Sequence, residues 1–80
     1  MSNPKFKIGD KVIQTVYQND GTVMRTTGTI ETVENEEYPN GILYWMHLEK
    51  RAWYRNGKVI KRSVMKGSGG VCEMELEKVV

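Results

Sequence analysis

The sequence predicts an all-β domain, and three observations carry that reading. Turn-forming residues recur along the chain at Gly9-Asp10, Asp20-Gly21, Gly28, Pro39-Asn40-Gly41, Asn56-Gly57 and the run "KGSGG" at 66–70. The intervening segments are of strand length and rich in Val, Ile, Thr, Tyr and Trp, which fit a pleated, half-buried surface. No window sustains the i, i+3, i+4 apolar spacing of an amphipathic helix over three turns.

Each element follows from its residues. Gly9 lets the chain turn where a side chain would clash, and Asp10 can accept from backbone amides of the same turn. A first strand is expected over 11–18 and a second over 22–34, joined by a two-residue turn in which Asp20-Gly21 supplies positive φ. Gly28, inside a β-branched stretch, marks a bulge or sharp bend. Tyr38-Pro39-Asn40-Gly41 suits a type I turn and opens a third strand at 41–49. Asn56-Gly57 then joins strands 51–55 and 58–65 as a hairpin. "KGSGG" reads as a flexible connector to a last strand at 71–76, whose outer face would carry Glu73, Glu75 and, just beyond, Glu77.

"FKIGDKV" at 6–12, "TGTIETV" at 27–33, "YWMHL" at 44–48 and "MELEKV" at 74–79 together resemble a small SH3-like barrel of the KOW or Tudor type. The resemblance implies five to six short antiparallel strands with extended hairpins, in one domain spanning residues 5–79. It also implies a core of Phe6, Ile8, Val12, Ile30, Tyr44, Met46, Leu48 and Leu76. Barrels of this shape serve many unrelated roles, so function has to be argued from a site.

Composition removes several classes of function. At 80 residues the chain has room for one domain, and its net charge of +2 does not make the whole molecule a polyanion binder. Cys72 is the only cysteine, which excludes an internal disulfide and points to a reducing compartment. No apolar run approaches the ~20 residues that span a bilayer, and the N-terminus lacks a secretory h-region. A cytoplasmic protein without membrane contact is expected.

Charge is distributed more tellingly than it is summed. Lys50, Arg51, Arg55, Lys58, Lys61, Arg62 and Lys66 place seven cations in residues 50–66, with no acid among them. A hairpin centred on Asn56-Gly57 sets Arg55 opposite Lys58, Trp53 opposite Ile60 and Arg51 opposite Arg62, all on one face. Like charges paired across strands cost up to ~1 kcal/mol, so the arrangement invites an anion. A tryptophan among arginines is what a single-stranded nucleic acid uses, with bases stacking on the ring and phosphates meeting the cations. The candidate binding residues are therefore Arg51, Trp53, Arg55, Lys58, Lys61, Arg62 and Lys66. Two plainer readings compete. Trp53 packs inward with the cations keeping a wet ribbon from pairing with other chains, or the acids of "ETVENEE" at 31–37 neutralise it.

Nothing in the chain composes a catalytic set. His47 is the only histidine and has no carboxylate assigned by spacing; one histidine and one cysteine cannot make a structural zinc site. Cys72 reads as a small buried hydrophobe. The glycines of "KGSGG" lack the order and following helix of a phosphate loop. Tyr17, Tyr44 and Trp45 raise the separate possibility of an aromatic cage for a cation. The expected function is a non-catalytic module without metal or cofactor, binding RNA or DNA with low sequence specificity. The alternative is an adaptor or inhibitor, of a kind phages encode, docking on an acidic protein surface.

Overall fold

The computed structural model describes residues 4–38 and 41–79; the side chains of 35–38 and 41 lie outside that description, as does the expected turn at Pro39-Asn40. The all-β expectation holds. Six strands, β1 (Lys11–Tyr17), β2 (Val23–Tyr38), β3 (Gly41–Arg55), β4 (Lys58–Val64), β5 (Ser68–Cys72) and β6 (Leu76–Lys78), form one antiparallel sheet. A single 3-10 turn, Glu73–Glu75, separates β5 from β6. The sheet runs β4-β3-β2-β1-β6, with β5 also on β3.

The strands are not uniformly short. β2 and β3 have 16 and 15 residues, and the segments expected at 41–49 and 51–55 are one strand. Strand β3 serves two neighbours in succession. Its first half (Leu43–His47) pairs with β5, and its second half (Lys50–Arg55) pairs with β4. The handover lies at a bulge, where Gly28 pairs with Leu48 and Thr27 with Lys50, leaving Glu49 as the extra residue. That extra residue exchanges the two faces of β3, so Tyr44, Met46 and Leu48 share a face with Arg51, Trp53 and Arg55.

Gly28 is the reason the strands can bend there. A Cβ on it would stand 2.2 Å from the carbonyl oxygen of His47 and 2.8 Å from Met46 Cγ. The close approach closes a core of Phe6, Val12, Ile30, Ile42, Tyr44, Met46, Val71 and Leu76 between the bent halves of the sheet, with Leu48 partly buried at its margin. Ile42 and Val71 complete this core beyond the set expected. Ile8 does not join it. It sits on the turn that Gly9 makes at φ +95°, and is 67% exposed. The turn itself is built as expected: Lys7 N–H donates to Asp10 Oδ2 at 3.1 Å, and Gly9 N–H donates to Ile30 O at 2.9 Å.

Two local expectations are corrected. Ser68–Gly70 of the supposed flexible connector is strand, paired with Trp45, Met46 and His47. Gly70 leaves room for the Trp45 indole, which lies 3.7 Å from where its Cβ would be, and Gly69 does the same for Leu48. A large neighbour covering a bare strand position supplies the packing that glycine lacks. Residues 71–76 do not form one strand either. The 3-10 turn interrupts them, and Glu73 and Glu75 are drawn into contacts instead of forming an outer face.

Those contacts anchor the N-terminal segment. The buried Tyr44 hydroxyl donates to Glu73 Oε2 and accepts from Lys5 N–H at 3.1 Å and Phe6 N–H at 3.3 Å. Gln14 Nε2 donates to Glu75 at 3.0 Å. Burial, and secondarily the hydrogen bond to Glu73, push the Tyr44 phenol above its ordinary value of 10.0. A raised folded-state value means the neutral phenol is what folding favours. Its stabilisation is complete below pH 10 and is lost as pH climbs through the folded value. Tyr44→Phe, which strips two amides of their acceptor, is expected to cost about 1–2 kcal/mol in chemical denaturation at neutral pH. The same variant should flatten the alkaline fall in stability; an unchanged alkaline limb would contradict the assignment.

Candidate nucleic-acid interface

The basic segment is the edge hairpin that β3 and β4 make, flanked along Lys50–Tyr54 by β2. Asn56 at φ 53° and Gly57 at φ 78° form its two-residue turn, both with the positive φ that lets the turn follow the strand twist. The β1–β2 loop beside it differs from expectation. Asp20 does not adopt positive φ; Gly21 alone does, at 87°, within a longer loop closed by Gln18 N–H to Thr22 O at 2.9 Å.

The ribbon register departs from the one that the turn implies. Arg55 faces Lys58 and Tyr54 faces Val59, as expected, but a bulge then leaves Ile60 unpaired. Beyond it Trp53 faces Lys61, Ala52 faces Arg62 and Arg51 faces Ser63. The expected Arg51–Arg62 opposition is therefore absent, and Arg62 is turned to the other side of the sheet. Of the two like-charge pairs that suggested a missing anion, one is removed by the bulge.

The other is relieved by an acid from outside the ribbon. Arg55 Nη2 lies 3.5 Å from Asp20 Oδ2 and 3.1 Å from Thr22 Oγ1. Donation from Thr22, chiefly by its amide, holds the Asp20 carboxyl below its ordinary range, so it stays anionic beside Arg55 at neutral pH. Arg51 is held from beneath, its Nε donating to Thr26 Oγ1 at 2.8 Å.

The face that carries Trp53 is continuous with the core side of the sheet, since its partners Met24 and Thr26 alternate with the buried Gly28 and Ile30. Trp53 is half-buried, flanked by Lys61 Nζ at 4.9 Å and the Arg51 guanidinium at 5.9 Å from its ring centre. A ring quadrupole draws cations to its face and so holds these two together without an acid. Lys58 and Lys61 are exposed at the ribbon's far end. Lys66 is exposed too, but at the base, in the link between β4 and β5. Among the described residues none of Lys58, Lys61, Arg62 and Lys66 has a carboxylate within ion-pair distance.

The acidic segment does not reach the ribbon with the carboxylates that are described. Glu31 accepts from Ser68 Oγ at 2.8 Å and lies 3.4 Å from His47 Nδ1, while Glu34 accepts from Trp45 Nε1 at 3.2 Å. Both belong to the half of the sheet that contains β5. His47 thus has a carboxylate beside it that spacing did not reveal, because β2–β3 pairing brings Glu31 next to it; the pair lies on an exposed face. Tyr44 is locked in the core edge-on to Phe6, and Trp45 points from the opposite side of its strand, so the two do not share a cage. Cys72 is half-buried and free. Among the described residues no cluster of three metal-ligating side chains occurs, and no helix is long and apolar enough to cross a membrane.

The reverse side of the same strands holds a recess that sequence reasoning missed. It is an open groove of about 580 Å³ whose lining includes Ile13 and Ala52 as floor, Val64 at its margin and Arg25, Lys50 and Arg62 as cations. Arg25 was passed over because it stands alone in β2, outside any charge run. Pairing across three strands brings it to Ala52 and hence to Arg62. Compared with known protein families, characterised proteins and solved structures, the chain matches none.

Proposed function

We propose that the protein is a non-catalytic binding module that holds single-stranded nucleic acid on the Trp53 face of the β3–β4 ribbon. The observation that carries the reading is the cluster of Trp53, Arg51 and Lys61, a ring with two cations at its face and, among the described residues, no carboxylate in contact. In this reading a base stacks on the indole, while Lys58, Lys61 and Arg51 meet phosphates, with Arg55 released from Asp20 as needed. Arg62, on the reverse face, is not in this set; Lys66 would meet only a strand that continues to the ribbon's base. Recognition through backbone and ring faces carries little sequence preference.

The strand order supports an SH3-like reading of the fold, since the short strand after the 3-10 turn returns to pair with the first strand. Among the described residues β5 and β6 are joined by that turn and not by a ladder, so the sheet is bent around its core without a closed ring of hydrogen bonds.

Titration of labelled single-stranded DNA and RNA oligonucleotides at two salt concentrations tests the function. Affinity is expected to fall with salt, with a log–log slope of about −0.7 for each phosphate neutralised. Lys58→Gln combined with Lys61→Gln should reduce that slope by about 0.7 per cation removed. An absence of binding at low salt removes the proposal.

A further inference from the structure

The geometry points to a second binding surface, the groove on the reverse face, whose occupant is an extended acidic segment of a partner protein that alternates carboxylates with aliphatic side chains. This inference stands apart from the nucleic-acid reading, since the two sites lie on opposite faces of the sheet; Arg51 also lines the groove, but its Nε is turned to Thr26 on the Trp53 face.

Cross-strand pairing builds the surface in rows. Ile13, Thr27, Lys50 and Val64 face one another across β1, β2, β3 and β4, and the next row runs Thr15, Arg25, Ala52 and Arg62. Directly paired residues share a face, so Arg25 and Arg62 flank Ala52 from strands about 10 Å apart, with Lys50 one row away. Among the described residues no carboxylate lines the groove. Glu77 shares that face, paired with Ile13 on β6, and Glu49 is engaged by Lys11 at 3.3 Å; neither lines the groove. Three cations thus line an apolar floor that holds no carboxylate among the described residues, an arrangement complementary to an anion with apolar parts.

The shape and composition select among such anions. Ile13, Ala52 and Val64 offer aliphatic surface and no plane on which a base would stack. Tyr54, the one ring in the lining, carries the Arg25 guanidinium 5.8 Å from its centre. Val64 is 82% exposed, an aliphatic side chain held in water at the groove's margin. Strand β4 also ends the sheet, and its outer edge has no strand partner among the described residues. An extended segment laid along that edge directs alternate side chains over the groove, apolar ones onto Val64 and Ala52 and carboxylates to Arg62 and Lys50.

Panning a random library of short linear peptides against the full chain tests this. The expected consensus alternates Asp or Glu with Leu, Ile or Val. A synthetic peptide of that consensus should lose about tenfold or more in affinity for Lys50→Glu combined with Arg62→Glu. It should bind Lys58→Glu combined with Lys61→Glu, on the other face, within about twofold of the parent. In the unaltered protein, the peptide should shift the NMR amide signals of Ile13, Ala52 and β4, which keeps the test decisive if the first variant fails to fold. Excess single-stranded oligonucleotide should leave the peptide bound. No acidic consensus, signals shifted elsewhere, or displacement by the oligonucleotide overturns the inference.

Discussion

Gly28→Ala lowers the free energy of unfolding by about 3 kcal/mol, the upper end of what overpacking a core costs. The added carbon meets a backbone oxygen at 2.2 Å and Met46 at 2.8 Å, and the oxygen belongs to the bulge that hands β3 from β5 to β4. Met46 is fully buried and cannot swing away without opening the core. The strands must therefore separate, which loosens Tyr44 and Ile30 alongside. A small domain has about 4–12 kcal/mol in total, so a loss of this size shifts the urea midpoint conspicuously. Gly69→Ala is the matched control. Its Cβ would sit 3.7 Å from Leu48, an ordinary contact, and the change should stay within about 1 kcal/mol of the parent. If both substitutions cost the same, the bulge does not depend on a bare backbone at position 28.

Trp53→Leu weakens single-stranded DNA binding by about 2 kcal/mol, or about 30-fold, while leaving the salt dependence of the remaining affinity unchanged. Leucine keeps an apolar side chain against Met24, its cross-strand neighbour, but presents no plane for a base. Stacking releases no counterions, so its loss moves affinity without moving the slope. Removal of Lys58 and Lys61 does the reverse. The two variants together separate the ring's contribution from the charges', and an affinity indifferent to Trp53 would leave the ribbon as a purely electrostatic surface.

Much of the fold was legible because its determinants are local. Asn56-Gly57 can adopt two successive positive φ values at little cost, and the hairpin is centred there. Gly28 interrupting Thr27 and Thr29 announced a bend, and the register breaks beside it. The alternation of Tyr44, Met46 and Leu48 placed the first two in the core and the third at its margin. The misses have a common cause. The Ile60 bulge carries no glycine or proline, so the ribbon's register slipped by one residue relative to simple counting from the turn. That slip moved Arg62 to the opposite face and brought Lys61 to Trp53. Ser68–Gly70 looks like a linker by composition, and becomes strand because Trp45 and Leu48 pack over its bare positions.

What belonged to the sequence alone was the all-β class, the turns at Gly9 and Asn56-Gly57 and a hairpin crowded with cations, since these depend on backbone preferences and on residue identity. Which cations stand together was a tertiary decision. Asp20 reaches Arg55 from another loop, Arg25 joins Arg62 across two strands, and Glu31 and Glu34 are spent on His47, Ser68 and Trp45. Charge neutralisation depends on distance in space, and a sheet with bulges sets those distances by pairing residues far apart in the chain.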